Sequence, residues 1–382
     1  MRALAVIALL SGASAGCFLE PLPRYDQERQ RPPGARPSEV TALSMGAEDA
    51  CVAGDGAVYC WGANREGISG ADRAGNRRRT DVPRRVVDLE GAVQVSVGRA
   101  HACARTEAGE VHCWGSNDAG ELGDGTYEPR VTPLAVPGFG PAVALSVGGT
   151  RSCAVRRDGA LYCWGDRGSG FIHMGDTSPV PVAGLSGVSA VARGDMHACA
   201  VAGGRVLCWG QNRFGQIGNG VPGYLVDAPV DVGLSGVTEV VVGGEHSCAL
   251  RSDGGVFCWG AAYASQLGEV PTATCEGAPC QPVPTEVPGL SGVVQLAAGA
   301  SHTCARFGDG RVACWGTDGG LTAGAAPTII DAAAGARLLA AEGGGTCAVD
   351  DAATLTCWGT HEARARDEMT GFVDPAPAIV EW

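Results

Sequence analysis

Cysteine and histidine are the residues of this 382-residue chain whose types and spacing point most clearly to chemistry. Fourteen of the 17 cysteines fall into pairs nine or ten residues apart: Cys51 and Cys60, Cys103 and Cys113, Cys153 and Cys163, Cys199 and Cys208, Cys248 and Cys258, Cys304 and Cys314, Cys347 and Cys357. Most pairs bracket a sharp turn signal, such as Asp55-Gly56, Asp158-Gly159, Gly203-Gly204, Asp253-Gly254 or Asp309-Gly310, where Gly supplies the positive φ of a tight hairpin. Residues facing each other in a non-hydrogen-bonded antiparallel pair stand about 4.5 Å apart at Cα, within disulfide reach. The expected chemistry is oxidation: one disulfide per hairpin, and an eighth, Cys275–Cys280, within a loop. Metal binding would need four-ligand clusters such as C-x2-C pairs, and the chain has none. Each staple is worth roughly 2–3 kcal/mol at most, because a hairpin is already partly closed. The pattern suits an oxidising compartment outside the cytoplasm.

His101, His197, His246 and His302 each stand two residues before the first Cys of a pair, where the other units carry Asp49, Arg151 and Gly345. Equivalent residues of a repeat are held far apart, so these histidines are expected to be structural. Asp124-Gly125-Thr126, after Gly120-Glu121-Leu122-Gly123, lacks the Lys of a phosphate loop and the acidic spacing of a calcium loop, and reads as a turn. Gly12-Ala13-Ser14-Ala15-Gly16 spells G-x-S-x-G, but that motif needs a strand-to-helix turn in a folded domain. All 28 basic residues are Arg, which excludes Schiff-base, Walker A and kinase-type lysines. A net charge of −13 argues against general affinity for nucleic acid. No catalytic, cofactor or metal site is expected.

The elements behind these residues are repeats. Cys-Trp-Gly occurs at 60–62, 113–115, 163–165, 208–210, 258–260, 314–316 and 357–359, in steps of 53, 50, 45, 50, 56 and 43 residues. A period near 50 marks a propeller blade or a comparable array. In the second unit Val93–Gly98 alternates apolar and polar, His101–Ala104 and Val111–Trp114 flank the turn, and Pro133–Pro137 reads as a fourth strand. With 60 Gly and no helical stretch, the fold class is all-β: a seven-bladed β-propeller of about 50-residue, four-stranded repeats with one disulfide per blade.

Gly194-Asp195-Met196-His197 and Trp209-Gly210-Gln211-Asn212-Arg213-Phe214-Gly215-Gln216-Ile217-Gly218 resemble the G-x-x-H and W-G-x-N-x-x-G-Q-L-G motifs of the regulator-of-chromosome-condensation repeat family. The resemblance runs from Val40 onward. It implies that the repeated His belongs to the blade's own hydrogen bonding. The last unit is degenerate, with Gly345 for His, yet Pro377–Val380 resembles a fourth strand closing that blade with its own residues. Guanine-nucleotide exchange on a small GTPase is the family's best-known activity. Family resemblance also extends to extracellular propellers, such as a β-lactamase inhibitory one, that clamp a protein on one face.

Residues 1–16 read as a signal peptide: Arg2, an apolar run Ala3–Leu10 too short to span a bilayer, and small residues before Cys17. This resembles a bacterial lipoprotein signal with Cys17 as lipid acceptor, although Ser14 departs from the usual Leu. Residues 17–38, rich in Pro, Arg and Gln, read as a disordered tether, and 39–382 as the propeller. The expected location is the cell envelope, lipid-anchored at the outer membrane, with periplasmic or secreted protein as the alternative. Long loops follow the first six Cys-Trp-Gly copies, at 63–82, 116–132, 166–179, 211–228, 261–282 and 317–327, all on one face. They carry Arg77, Arg78 and Arg79 of a basic Arg73–Arg85 stretch and the aromatics Tyr127, Phe171, Phe214, Tyr224 and Tyr263. Arg and aromatics are enriched at interfaces. The function read from this is a non-catalytic, monomeric module that holds another protein on that face. The alternatives are exchange-factor activity by family analogy and a glycan-processing envelope enzyme with a site on the disc face.

Overall fold

The computed structural model describes residues 36–70, 77–166, 175–317, 324, 326–360 and 376–382. The leader, Cys17, most of the tether, Arg73 and Phe171 lie outside the described residues. Each Cys pair is built into the same unit, an antiparallel meander of short strands. In the second unit the strands are Ala92–Val97, His101–Thr106, Val111–Gly115 and Arg130–Ala135, paired in chain order. The fourth starts three residues before the expected Pro133. Among the described residues there are seven such sheets, six of four strands and one of five.

The first strands are Val40–Met45, Ala92–Val97, Ala142–Gly148, Val188–Arg193, Val237–Val242, Val293–Ala298 and Ala336–Glu342. Each packs on the next, and the seventh packs on the first, so they form a closed ring with the sheets radiating from it. This is the seven-bladed propeller. The final blade pairs Ala378–Val380 with Leu355–Thr360, so it closes with its own chain.

Apolar burial is divided among the seven junctions between blades instead of one core. Each junction packs the Cys pair of one blade with the Trp of the next: Cys51 and Cys60 with Trp114, Cys103 and Cys113 with Trp164, and onward to Cys347 and Cys357 with Trp61. Alternation along a strand explains this, since adjacent residues point to opposite faces. In every Cys-Trp-Gly the Cys faces the following blade and the Trp the preceding one.

The fourteen repeat cysteines face each other directly in the register, as Cys51↔Cys60 and Cys153↔Cys163 do, with Cα atoms 4.1 Å apart, and all are joined. Among the seven Cys-bracketed hairpins, the two shortest pair Gly54 with Ala57 and Ala202 with Arg205. Their two-residue turns, Asp55-Gly56 and Gly203-Gly204, hold positive φ at both positions (50° and 75°; 58° and 75°). That is the turn chemistry the dipeptides specify.

One expectation is corrected in the fifth blade, which has five strands instead of four. Ala273–Cys275 pairs with Ala278–Glu286 and adds a short outermost strand, with Cys275 bonded to Cys280.

Candidate functional site

The loops that follow Cys-Trp-Gly begin against the turn between the first two strands of their own blade. The amide of Ser116 donates to Ala100, Gln211 to Met196, Ala261 to Glu245 and Thr317 to Ser301. These bonds put the first turns and the long loops on one face.

The first half of several loops is scaffold. The side-chain oxygen of Asn64, Asn117 or Asn212 accepts the amide five residues on, from Ser69, Leu122 or Ile217 at 2.9–3.0 Å. This folds the chain into a compact turn whose backbone grips the next blade. Trp114 Nε1 donates to the Ile68 carbonyl (2.7 Å), Trp164 to Glu121 (2.9 Å) and Trp259 to Gln216 (2.9 Å). Gly218, at φ 79°, allows the approach, since a Cβ there would stand 2.7 Å from Trp259 Nε1. The freely varying surface is therefore shorter than the loop lengths suggest.

The repeated histidines are internal, and the expected bonding within their own blade is corrected: each reaches the next blade. His101 Nε2 meets Ser152 Oγ (2.8 Å), His197 meets Ser247 (2.7 Å), His246 meets Thr303 (2.9 Å) and His302 meets Thr346 (2.7 Å). The Ser152, Ser247 and Thr303 hydroxyls donate onward to the carbonyls of Glu121, Gln216 and Gln266. Each of these three hydroxyls therefore accepts from a protonated Nε2, and the ring is the neutral Nε2–H tautomer. Burial pushes His101, His197 and His246 down to about 3 and His302 to about 4. Where the His is replaced, by Asp49, Arg151 or Gly345, the next blade carries Ala102, Ala198 or Ala50 in place of the hydroxyl. The two positions change together at every junction, a signal that was present in the sequence.

The candidate contact residues separate into groups. Arg77 pairs with Glu66 (3.2 Å), Arg79 with Asp81 (2.6 Å), and the Arg78 carbonyl accepts Asn64 Nδ2 (3.0 Å). Tyr127 is half-buried and its hydroxyl donates to the Gly175 carbonyl (3.0 Å), tying the second blade's loop to the third. Phe214, Tyr224 and Tyr263 lie in one sector, at blades four and five. Phe214 and Tyr263 pack edge to face with centroids 6.1 Å apart, and Tyr263 donates to Glu245 (2.7 Å). Burial and Glu245 push the Tyr263 phenol up to about 12.

The added strand of blade five joins them. Gly220 donates to the Pro282 carbonyl (2.9 Å), and Arg213 bridges to Glu276 (2.7 Å) beside Cys275–Cys280. In this sector Val221 is 68% exposed, Tyr224 64% and Tyr263 49%, and Met196, Leu225 and Val283 are also exposed, Leu225 on the opposite face of its strand from Tyr224. The four aliphatic members were not singled out in the sequence, where only loop aromatics and Arg were weighed. An exposed apolar surface of this kind is the usual mark of a docking site. Among the described residues no group of three or more His, Cys, Asp or Glu could hold a metal ion.

The model of the RCC1-like domain matches residues 22–349. The Ultraviolet-B receptor UVR8 of Arabidopsis thaliana is 30% identical over 282 residues, covering 70% of this chain and 62% of the receptor. The E3 ubiquitin-protein ligase HERC2 of Homo sapiens is 28% identical over 285 residues, covering 73% of this chain and 5% of the ligase. The chain thus spans less than two thirds of either relative. Among solved structures, Prp20p from Saccharomyces cerevisiae, studied for its binding to Gsp1p and histones, superposes with a TM-score of 0.73 at 22% identity, over 89% of this chain and 87% of Prp20p.

Proposed function

The chain belongs to the RCC1-like domain family, and on that footing we propose that it is a non-catalytic protein-binding propeller of the bacterial cell envelope, holding its partner on the long-loop face at blades four and five. The observation that carries this reading is the exposure of Val221, Tyr224, Tyr263 and Val283 beside a disulfide-held strand. Rigid, aromatic-bearing surface loses little entropy on docking. The eight disulfides favour an oxidising location, and the leader-like segment ahead of Cys17 favours lipid attachment there.

Pull-down from an envelope extract tests it. The wild type recovers a partner, and the Val221→Ser/Tyr224→Ser double variant, with unchanged Tm, recovers at least tenfold less. Equal recovery by both defeats the reading. Exchange-factor activity is the second reading, favoured by the fold shared with Prp20p, a protein studied for binding Gsp1p. Release of a fluorescent guanine nucleotide from a small GTPase, accelerated by the propeller, would support it over the first.

A further inference from the structure

Blade four departs from the repeat at the end of its first strand. The last residue of its first strand is Arg193, where the other blades have Met45, Val97, Val147, Val242, Ala298 and Ala341. Its backbone is held as in its neighbours: the Arg193 amide donates to Ser146 Oγ of the preceding blade (2.9 Å), as Val97 does to Ser44 (3.0 Å) and Val147 to Ser96 (2.9 Å). The side chain therefore leaves the backbone at the junction between blades three and four. At the same junction Arg151 replaces the relay His and Ala198 the hydroxyl.

Arg193 Nε is sealed from solvent with no acceptor, although the residue as a whole is only half-buried. After burial itself, Arg151 is the strongest charged influence on it. Asp195 and Asp166 act more weakly, and neither pairs with it. Burial and Arg151 together hold Arg193 down at about 9. A guanidinium nitrogen sealed without a partner is costly, and the fork of donors matches an oxyanion. Asp195 and Met196, two and three residues on, are exposed in the turn at the long-loop face.

We propose that the junction between blades three and four is an oxyanion site, in which Arg193, with Arg151 beside it, takes a carboxylate, phosphate or sulfate group entering from the long-loop face. Met196 borders both this junction and the exposed residues of blades four and five, but the anion site uses Arg193 and does not depend on the partner proposed there.

Thermal unfolding in sodium acetate, phosphate or sulfate, each against sodium chloride at matched ionic strength, tests it on wild type and on Arg193→Val, with Arg193→Met as the second variant should Val impair folding. A ligand that binds only the folded state raises Tm saturably, whereas general salt effects of sulfate or phosphate act on wild type and variant alike. The expected result is a saturable rise in wild-type Tm that the variant lacks, and a variant more stable than wild type in chloride. Acetate as the effective anion assigns a carboxylate ligand, and phosphate or sulfate a tetrahedral one. An equal response in both proteins, no response in wild type beyond chloride, or a variant less stable in chloride overturns the proposal.

Discussion

Ser247 ties two blades through one hydroxyl, donating to the Gln216 carbonyl and meeting His197 Nε2 at 2.7 Å. Replacing it with Ala leaves a buried N–H unpaired, at a cost of about 1–3 kcal/mol. Thr should restore the loss, because Thr303 and Thr346 fill the same role; chemical denaturation of the two variants reads the difference. The histidines also set a pH dependence. Their folded values, about 3 to 4, lie below the ordinary 6.5, so they bind protons only on unfolding. The stability they contribute is full above 6.5 and falls with pH, by about 1.4 kcal/mol per pH unit for each histidine. Buried carboxyls act oppositely: Glu239, Glu269 and Glu342 are raised to about 7 and Asp49 to about 6, chiefly by burial. Their contribution is full at acid pH and is lost as pH rises through those values. Between about 4.5 and 6.5 the two sets nearly cancel. Tm measured against pH should show a plateau there, falling on both sides; a Tm that climbs steadily from pH 4.5 to 7.5 would contradict it.

At the scale of the element, each disulfide staples one hairpin and also forms part of the apolar surface on which the next blade's Trp rests. Removing Cys153–Cys163 should therefore cost more as Ser/Ser than as Ala/Ala, because Ser leaves hydroxyls facing Trp209 without the loop-closure gain. The Ala/Ala loss should be no more than roughly 2–3 kcal/mol, and paired denaturation curves measure both. The hairpins, their turns and their cysteine partners were legible in the sequence because period and turn residues repeat and each copy checks the others. Ala273–Cys275 was not, since three residues in a Pro- and Gly-rich loop carry no strand period. The direction of the histidine bonds was present as the joint change of His and hydroxyl, but it needed the order of blades around the ring to be read. The exposure of Val221, Leu225 and Val283 has no sequence signature, because it depends on where an outer strand leaves its sheet.

For the whole molecule, stability rests on closing the ring, and the last blade meets the first through Val40, Tyr59 and Trp61 against Val349 and Leu355. Trp382 seals that seam, donating to the Ala353 carbonyl (2.9 Å) and standing edge-on to Tyr59 at 6.0 Å. Trp382→Ala should cost about 1–2 kcal/mol, read as a lowered Tm, because among the described residues no strand is exchanged between the terminal blades to compensate. A closed, stapled ring gives the loops of one face fixed positions, and the proposed function depends on that rigidity. The most direct measurement places a photo-crosslinking residue at Tyr224 on the long-loop face and, separately, at Asp309 in a hairpin turn of the opposite face, and irradiates each with envelope extract. The account predicts a discrete protein adduct from position 224 and none from 309. Equal labelling from both faces, or adducts from 309 alone, would contradict it.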